Sequence, residues 1–297
     1  MNVELRHLRA FVVVAEELHF ARAAARLHLT QPTLSHTIRQ LEDALGLRLL
    51  SRTTRVVALT PAGEMFLEEA RAVLARFEAA IRQAERTASG LVGRLRVGYV
   101  IGAALDHMPA ILRAFRDDYP DVALDVREFD FSSPEAGLDV GATDVAVLRP
   151  PVDLSPSTVF HVLLREPRVA CVPDVHPLAG RERVTVADLL DEPIVAAPGD
   201  GIWRDYWLLL DHREGRPPPV VHEAATFEAE LQSVASGRGI SITPATAARY
   251  YDRPGLAFPL IEDAAWCEVA VALPRAAIPA ARHFARLARR MVAAEEA

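Results

Sequence analysis

The chain contains no lysine: all 33 positively charged side chains are arginine. The bias matches the codon usage of a G+C-rich genome and needs no chemical cause. Cysteine occurs only at Cys171 and Cys267. The two are far apart in sequence and lack metal-ligand spacing. Two buried small side chains in a reducing compartment are expected, and a thiol switch would need the pair to meet in the fold. No run of roughly 18 apolar residues is present, so no membrane-spanning helix is expected. No charged–apolar–small leader opens the chain, which predicts a cytoplasmic location. G-x-S-x-G, P-loop, H-E-x-x-H and dinucleotide fingerprints are all missing. Gly199-Asp200-Gly201 and Gly237-Arg238-Gly239 are too incomplete to count, and His222-Glu223 has no partner at zinc spacing. No catalytic residue, metal or cofactor is therefore expected. Repeats and low-complexity runs are absent too; Pro217-Pro218-Pro219 is a stiff loop.

What is present suits a folded chain of two domains, or of one domain and a divided one: 297 residues, 51% hydrophobic. The net charge of −7 is unevenly placed. Residues 1–60 hold eight arginines against five carboxylates, a net +3, which leaves −10 for the remainder. A basic head on an acidic body is what a localised phosphate-binding surface requires.

The head is organised around residues 20–46. Phe20, Ala23, Ala24 and Leu27 recur at helical spacing, so one side of a short helix is apolar and small. After His28-Leu29, Thr30 is a good N-cap, and Pro32 stands where its missing N–H costs nothing. Leu34, Ile38, Leu41 and Leu45 then form one apolar stripe. The outer face carries Gln31, Pro32, Thr33, Ser35, His36, Arg39 and Gln40, uncharged hydrogen-bonding groups with a single Arg. A helix-turn-helix needs this arrangement, with the second helix offering its N-terminal residues to a major groove. An ordinary helical hairpin in a core would show the same periodicity. An opening helix over about residues 4–17 packs behind the pair. After Gly46, Val56-Val57-Ala58-Leu59 is strand-like and Arg52 and Arg55 flank Thr53-Thr54, which reads either as a hairpin wing facing phosphates or as an Arg-rich surface loop.

Thr60-Pro61-Ala62-Gly63-Glu64 begins a long helix running to about Ser89-Gly90. Within it Ala70, Leu74, Phe77, Ile81, Ala84 and Ala88 alternate spacings of four and three. That is a coiled-coil seam, and it predicts a partner chain. Beyond Gly93 the pattern becomes strands alternating with helices, which predicts an α/β unit with mainly parallel pairing. Strands are expected at 95–100, 123–129, 144–148, 194–199, 220–224, 239–243 and 266–273. A strand expected at 163–173 leaves the first part of this unit.

Taken together these phrases resemble the N-terminal domain of the LysR-type transcriptional regulators. AAARLHLTQPTLS is followed by IRQLEDALG, then L-x-R-T-x-R, then LTPAG, all at that family's spacing. GRLRVGYV, FRDDYPDVALDV, VHPLA and SGRGISITP match its effector domain more loosely. The resemblance implies an all-α head with a winged helix-turn-helix at 1–60, a linker dimerisation helix at 61–90 and a periplasmic-binding-protein-like effector domain at 91–297. It further implies two α/β subdomains, about 94–163 with 266–297 and about 164–265. The implied partners are double-stranded promoter DNA, a small-molecule effector with carboxylates among the candidates, a second copy as dimer and tetramer, and RNA polymerase. By resemblance Gln31, Pro32, Thr33, Ser35 and position 36 face DNA, beside Thr30 and Arg39, with Arg52, Thr53 and Arg55 in the wing. Position 36 is commonly Arg in the family; His36 is shorter and lacks the guanidinium fork, so a bidentate guanine contact is lost there.

Ligands of α/β sheets sit beyond the C-terminal strand ends. The candidate loops are Ile101-Gly102-Ala103, Phe131-Ser132-Ser133, Arg149-Pro150, Gly199-Asp200-Gly201-Ile202 and Thr226-Phe227, and the resemblance points to the same ones. Arg149 could clamp a carboxylate or form a surface ion pair; Asp200 would repel one. Many family members carry Ser or Thr at the position of Gly102, so a hydroxyl contact is missing here. Ser132 and Ser133 could replace it or serve only the turn beside Pro134. Trp203, Tyr206 and Trp207 share a short helix, as core or as a ligand platform, with Trp203 the best placed for the cleft. Two rivals stand against a regulator: an enzyme on the α/β portion, and a small-molecule-binding module without a regulatory role.

Overall fold

A computed structural model describes residues 3–52 and 57–295. The chain divides into two compact units, residues 1–86 and 87–297.

The first unit opens with α1 (Leu5–Glu17), α2 (Phe20–Arg26) and α3 (Gln31–Leu45). Phe11 and Val14 of α1, Ala23 and Ala24 of α2, and Leu34, Ile38 and Leu41 of α3 close one core. The two alanines let α2 approach α3 closely. Thr30 caps α3 by accepting from the Thr33 N–H at 3.4 Å, and Gly46 ends it in the left-handed region at φ 67°. Strands β1 (Leu50–Arg52) and β2 (Val57–Leu59) pair antiparallel as a short wing. Glu42, buried on α3, accepts from the Leu49 and Leu50 N–H groups at 2.9 and 3.1 Å and so fixes where the wing begins. α4 (Pro61–Ala88) follows. Its Gly63 is required: a Cβ there would collide with the Leu49 carbonyl.

The second unit has two lobes. In the first, β3 (Gly93–Val100), β4 (Val122–Phe129), β5 (Val145–Leu148), β6 (Thr158–Glu166) and β14 (Cys267–Pro274) form a sheet in the order β4-β3-β5-β14-β6. β3 is parallel to β4 and β5, while β14 is antiparallel to β5 and β6. α5 (Met108–Asp118) and α9 (Pro279–Glu295) pack together, with Phe115 and Phe284 rings 5.6 Å apart. In the second lobe β7 (Arg168–Pro173), buried along its whole length, lies between β11 (Ser241–Pro244) and β13 (Leu260–Ile261), with β8 (Arg183–Val184) beyond and β12 (Leu256–Ala257) also on β7. β9 (Ile194–Ala196) and β10 (Val220–Glu223) form a parallel pair that meets the sheet's side at Ile194 and Ile240. Helices α6 (Ile202–Trp207), α7 (Phe227–Ala235) and α8 (Ala245–Tyr250) complete the lobe.

Two expectations are corrected. Pairing is mixed, not mainly parallel, because β14 returns to the first sheet against the grain and β7 pairs antiparallel with three strands. The strand expected at 163–173 is two strands in two sheets. Pro167 carries no N–H for a ladder, and the chain changes sheet there.

Candidate nucleic-acid interface and effector cavity

On the head, Gln31, Pro32, Thr33, His36, Arg39 and Gln40 are exposed and Ser35 is half-buried. Thr30 and Thr33 are tied to each other, their hydroxyls 2.8 Å apart, and Arg39 donates to Ser35 Oγ at 3.4 Å. The Gln31 side chain has no partner among the described residues. Most other head arginines are matched within the unit: Arg22 to Glu17, Arg26 to Glu16 and Glu17, Arg48 to Glu42, Arg6 to Glu4. Arg39 and Arg9 have no carboxylate partner among the described residues. Among the described arginine side chains of residues 3–60, these two are the ones without a carboxylate. Arg9 was not singled out by the sequence. It lies with Arg6 along a groove walled by Thr33, His36 and Gln40. The i, i+3 spacing of Arg6 and Arg9 on the face of α1 away from its core was the available signal. Thr53 and Arg55 lie outside the described residues, and Arg52 is placed on β1 by its backbone alone.

The expected dimer seam is corrected at its start. Ala70 is 1% exposed and packs into the head core, with Leu74 half-buried against the same cluster. From there on the seam is open, with Phe77 40% and Ile81 43% exposed, and Ala84 and Ala88 also at the surface.

In the second unit four expected residues come together. Ile101, Arg149, Trp203 and Phe227 line one partly open cavity of about 30 Å³, with Phe131, Trp207, Glu230 and Thr243. Phe131 is the joint of its aromatic wall: its ring lies 5.4 Å from Trp203 and 5.1 Å from Phe227, and Trp203 in turn lies 6.0 Å from Trp207. Core packing and cavity wall are the same residues here.

The remaining candidates stand elsewhere. Gly102 and Ala103 border a separate groove with Tyr99 and Tyr251. Asp200, Gly201 and Ile202 are exposed outside the cavity. Ser132 donates through its N–H at 2.9 Å and through its hydroxyl to Asp130, and the Ser133 N–H bonds the Asp130 carbonyl at 3.1 Å, so both serve the turn. Thr226 caps α7, accepting from Ala229 at 3.2 Å. The missing hydroxyl at position 102 has a physical counterpart: a Cβ on Gly102, at φ 80°, would run into the Phe227 ring. Phe227 occupies the space a Ser or Thr would use.

The ion pair of Arg149 is a buried one and not a surface one. Arg149 is 3% exposed, and its Nη2 donates to Glu166 Oε1 at 2.6 Å and to the Gly102 carbonyl at 3.0 Å. Glu166 also accepts from the Thr246 N–H at 2.8 Å, across in the second lobe. Cys267 Sγ sits 3.5 Å from Arg149 Nη1 and donates to the Glu166 carbonyl at 3.4 Å. Burial pushes the Cys267 thiol up to about 11 and the Cys171 thiol further still. Cys171 lies in a different cluster, beside Val195 and Leu231. Neither thiol offers appreciable thiolate at neutral pH.

Residues that sequence reasoning passed over include Glu230 and Thr243. Glu230 had a signal: it interrupts the apolar stripe Phe227, Leu231, Val234 of α7 with a carboxylate. Burial pushes it up to about 7.

A winged helix-turn-helix head joined to a two-lobed α/β unit with a partly open cavity defines a ligand-responsive DNA-binding regulator. The chain belongs to the LysR family of transcriptional regulators. Residues 5–64 match the model of the bacterial regulatory helix-turn-helix protein, lysR family, and residues 88–293 match that of the LysR substrate binding domain. It is 40% identical over 290 residues to the uncharacterized HTH-type transcriptional regulator YnfL of Escherichia coli K12, covering 96% of this chain and 97% of that protein. It is 37% identical over 255 residues to the HTH-type transcriptional regulator AlsR of Bacillus subtilis strain 168, covering 84% and 83%. The solved structure of full-length CbnR complexed with its target DNA superposes with a TM-score of 0.65 at 27% identity, covering 98% of this chain and all of that one. The chain is accordingly a DNA-binding transcriptional regulator with an effector-binding domain, and not an enzyme. No helix among the described residues is long and apolar enough to cross a membrane.

Proposed function

We propose that α3 reads an operator through Gln31 and His36, flanked by Pro32 and Thr33, while Ser35, Arg39, Arg9 and the wing residues Arg52, Thr53 and Arg55 hold phosphates. Thr30 acts by fixing the start of the reading helix. Two copies join along the open part of α4, at Phe77, Ile81, Ala84 and Ala88, and dimers pair into tetramers on promoter DNA in the cytoplasm. Occupancy of the cavity behind Ile101, Arg149, Trp203 and Phe227 changes the promoter contacts and through them the engagement of RNA polymerase.

The observation that carries this reading is the division of labour on the head. Carboxylates pair with most of its described arginines; Arg9 and Arg39 have no carboxylate partner among the described residues, and Gln31 and His36 stand exposed on α3. Gel shifts on the chain's own upstream DNA test it. Gln31→Ala should cost about 1–3 kcal/mol on the preferred fragment and relax sequence choice. Arg9→Ala should weaken all fragments alike and reduce the salt slope by about 1. Equal losses on every sequence for Gln31→Ala would remove it from the reading role.

A further inference from the structure

The last stretch of the chain departs from the charge of the unit that contains it. Residues 87–297 hold 30 carboxylates against 21 arginines, yet residues 269–294 hold five arginines, His283 and no carboxylate. Four of these arginines, Arg282, Arg286, Arg289 and Arg290, are exposed on α9, and Arg275 is exposed just before it. Arg282, Arg286 and Arg289 fall within about 60° of one another around the helix, and exposed Ala293 continues their line. The opposite side of α9 anchors this stripe: Ala281, Phe284, Ala288 and Val292 are fully buried in the core of the first lobe. The helix begins against Gly90, where a Cβ would collide with Pro279 and Ala280.

The guanidiniums of the stripe are unmatched. Elsewhere in this unit exposed Arg127, Arg165, Arg181 and Arg249 each meet a carboxylate, at 2.7–3.5 Å. On α9 Arg290 meets Asp118 at 3.3 Å. Arg275, Arg282, Arg286 and Arg289 have no carboxylate partner among the described residues. Arg282 donates to the Arg275 carbonyl at 3.4 Å, which keeps Arg275 beside the stripe. Burial and Arg289 hold His161 of β6 below its ordinary value, and burial and Arg286 do the same for His283. Near pH 7 the charge of this face is therefore arginine alone. Like charges three and four residues apart repel and weaken a helix. A face that served only solvation would relieve the repulsion with glutamates, as the rest of this acidic unit does.

Three guanidiniums at this spacing cover about 10 Å of helix axis. Duplex DNA carries about one negative charge for each 1.7 Å of its own axis, so several phosphates face the stripe in any register. Arginine forks suit phosphate oxygens, and such contacts hold a duplex without reading it. An acidic protein would have to supply carboxylates at matching intervals. Duplex DNA supplies the pattern by itself, and it is already the partner of this family of chains.

We propose that α9 is a second DNA-holding surface, on which Arg282, Arg286 and Arg289, with Arg275, grip the phosphate backbone of duplex that flanks the segment read by α3. Such a grip needs no base reading by Gln31 or His36 and goes beyond the role given to the head.

The test titrates the full-length protein onto its own upstream DNA by fluorescence anisotropy at a series of salt concentrations. Arg282→Gln with Arg286→Gln and Arg289→Gln removes three exposed charges. This variant should melt no lower than the unmodified protein, because mutual repulsion goes with them. On a long fragment it should bind at least about tenfold more weakly at low salt, with a salt slope shallower by about 3. Arg165→Gln with Arg181→Gln and Arg249→Gln removes the same charge elsewhere in the unit and should stay within about threefold of the unmodified protein. Trimming the DNA from both ends, to the shortest fragment that keeps sequence choice, should erase the difference between the stripe variant and the unmodified protein. Unchanged affinity and slope of the stripe variant on long DNA, the result expected of a stripe that serves an acidic protein, would overturn the proposal. So would an equal loss on the trimmed fragment, or a matching loss in the second variant. Gln31→Ala should relax sequence choice and keep the preference for long DNA. If sequence choice stays intact there while that preference persists, the reading role fails and the grip of α9 stands.

Discussion

A single missing Cβ shows how the effector unit has been rebuilt at the residue scale. At Gly102 the family resemblance predicts Ser or Thr, and the structure fills that space with the edge of the Phe227 ring. The two positions are therefore one feature, seen once as an absence and once as a bulk. Restoring the hydroxyl alone should fail. Gly102→Ser must place a side chain at φ 80° and against an aromatic ring, a combination expected to cost about 2–4 kcal/mol. Gly102→Ser with Phe227→Ala removes the collision but leaves a hole, and the pair should cost less than the sum of the two single changes. Urea denaturation followed by tryptophan fluorescence measures all three, and strict additivity would show that the residues do not share the space. The sequence displayed both residues, but nothing in their 125-residue separation tied them together. Such a tie exists only once β3 and α7 stand beside each other.

Elements were more legible than their partners. The caps and apolar spacings of α1, α2 and α3 lie within a few residues of one another, so local sequence sets them, and the structure has those helices. The seam of α4 was legible as a period and not as a destination. A heptad says that one side of a helix will be buried, and leaves open whether its own domain or another chain buries it. Phe11 settles the first part: its ring lies 5.4 Å from Phe66, and the α1–α4 contact around it encloses Ala70. Past that point Phe77 and Ile81 remain open. Phe77→Glu with Ile81→Glu should therefore split the dimer, raising its dissociation constant at least about 100-fold through two lost apolar side chains, while the head keeps its fold. Ala70→Glu should instead unfold the head, since a charge would enter a site that is 1% exposed. Sedimentation and helical circular dichroism distinguish the two results. A monomeric but folded Ala70→Glu variant would move the seam back toward the N-terminus of α4.

On the scale of the whole effector unit, the chain passes between lobes twice, and the two passages are fastened together. β6 ends at Glu166 and β14 begins at Cys267, and these two residues are paired in register. Arg168, just across the first passage and 1% exposed, donates from Nε to the Ala265 carbonyl of the second at 2.8 Å and lies 4.5 Å from the Tyr206 ring. Arg149 reaches the same place from the end of β5, and through Glu166 it is joined to Thr246 of the second lobe. Arg149, a residue of the cavity wall, thus holds the crossing through its guanidinium. A ligand that contacts Arg149 would bear on the ion pair that joins β5, β6 and the second lobe. Truncating one partner leaves a buried charge unmatched, so Glu166→Ala should lower stability by about 3–5 kcal/mol. Replacing both partners with apolar side chains of similar volume, Arg149→Met with Glu166→Leu, should cost clearly less than the two single changes combined. The double variant should fold and bind its operator, yet a small molecule that alters those DNA contacts in the unmodified protein should no longer do so, because the link from cavity to crossing is gone. Denaturation curves give the first result and gel shifts with and without that small molecule the second. An intact response in the folded double variant would place the signal path elsewhere in the two lobes.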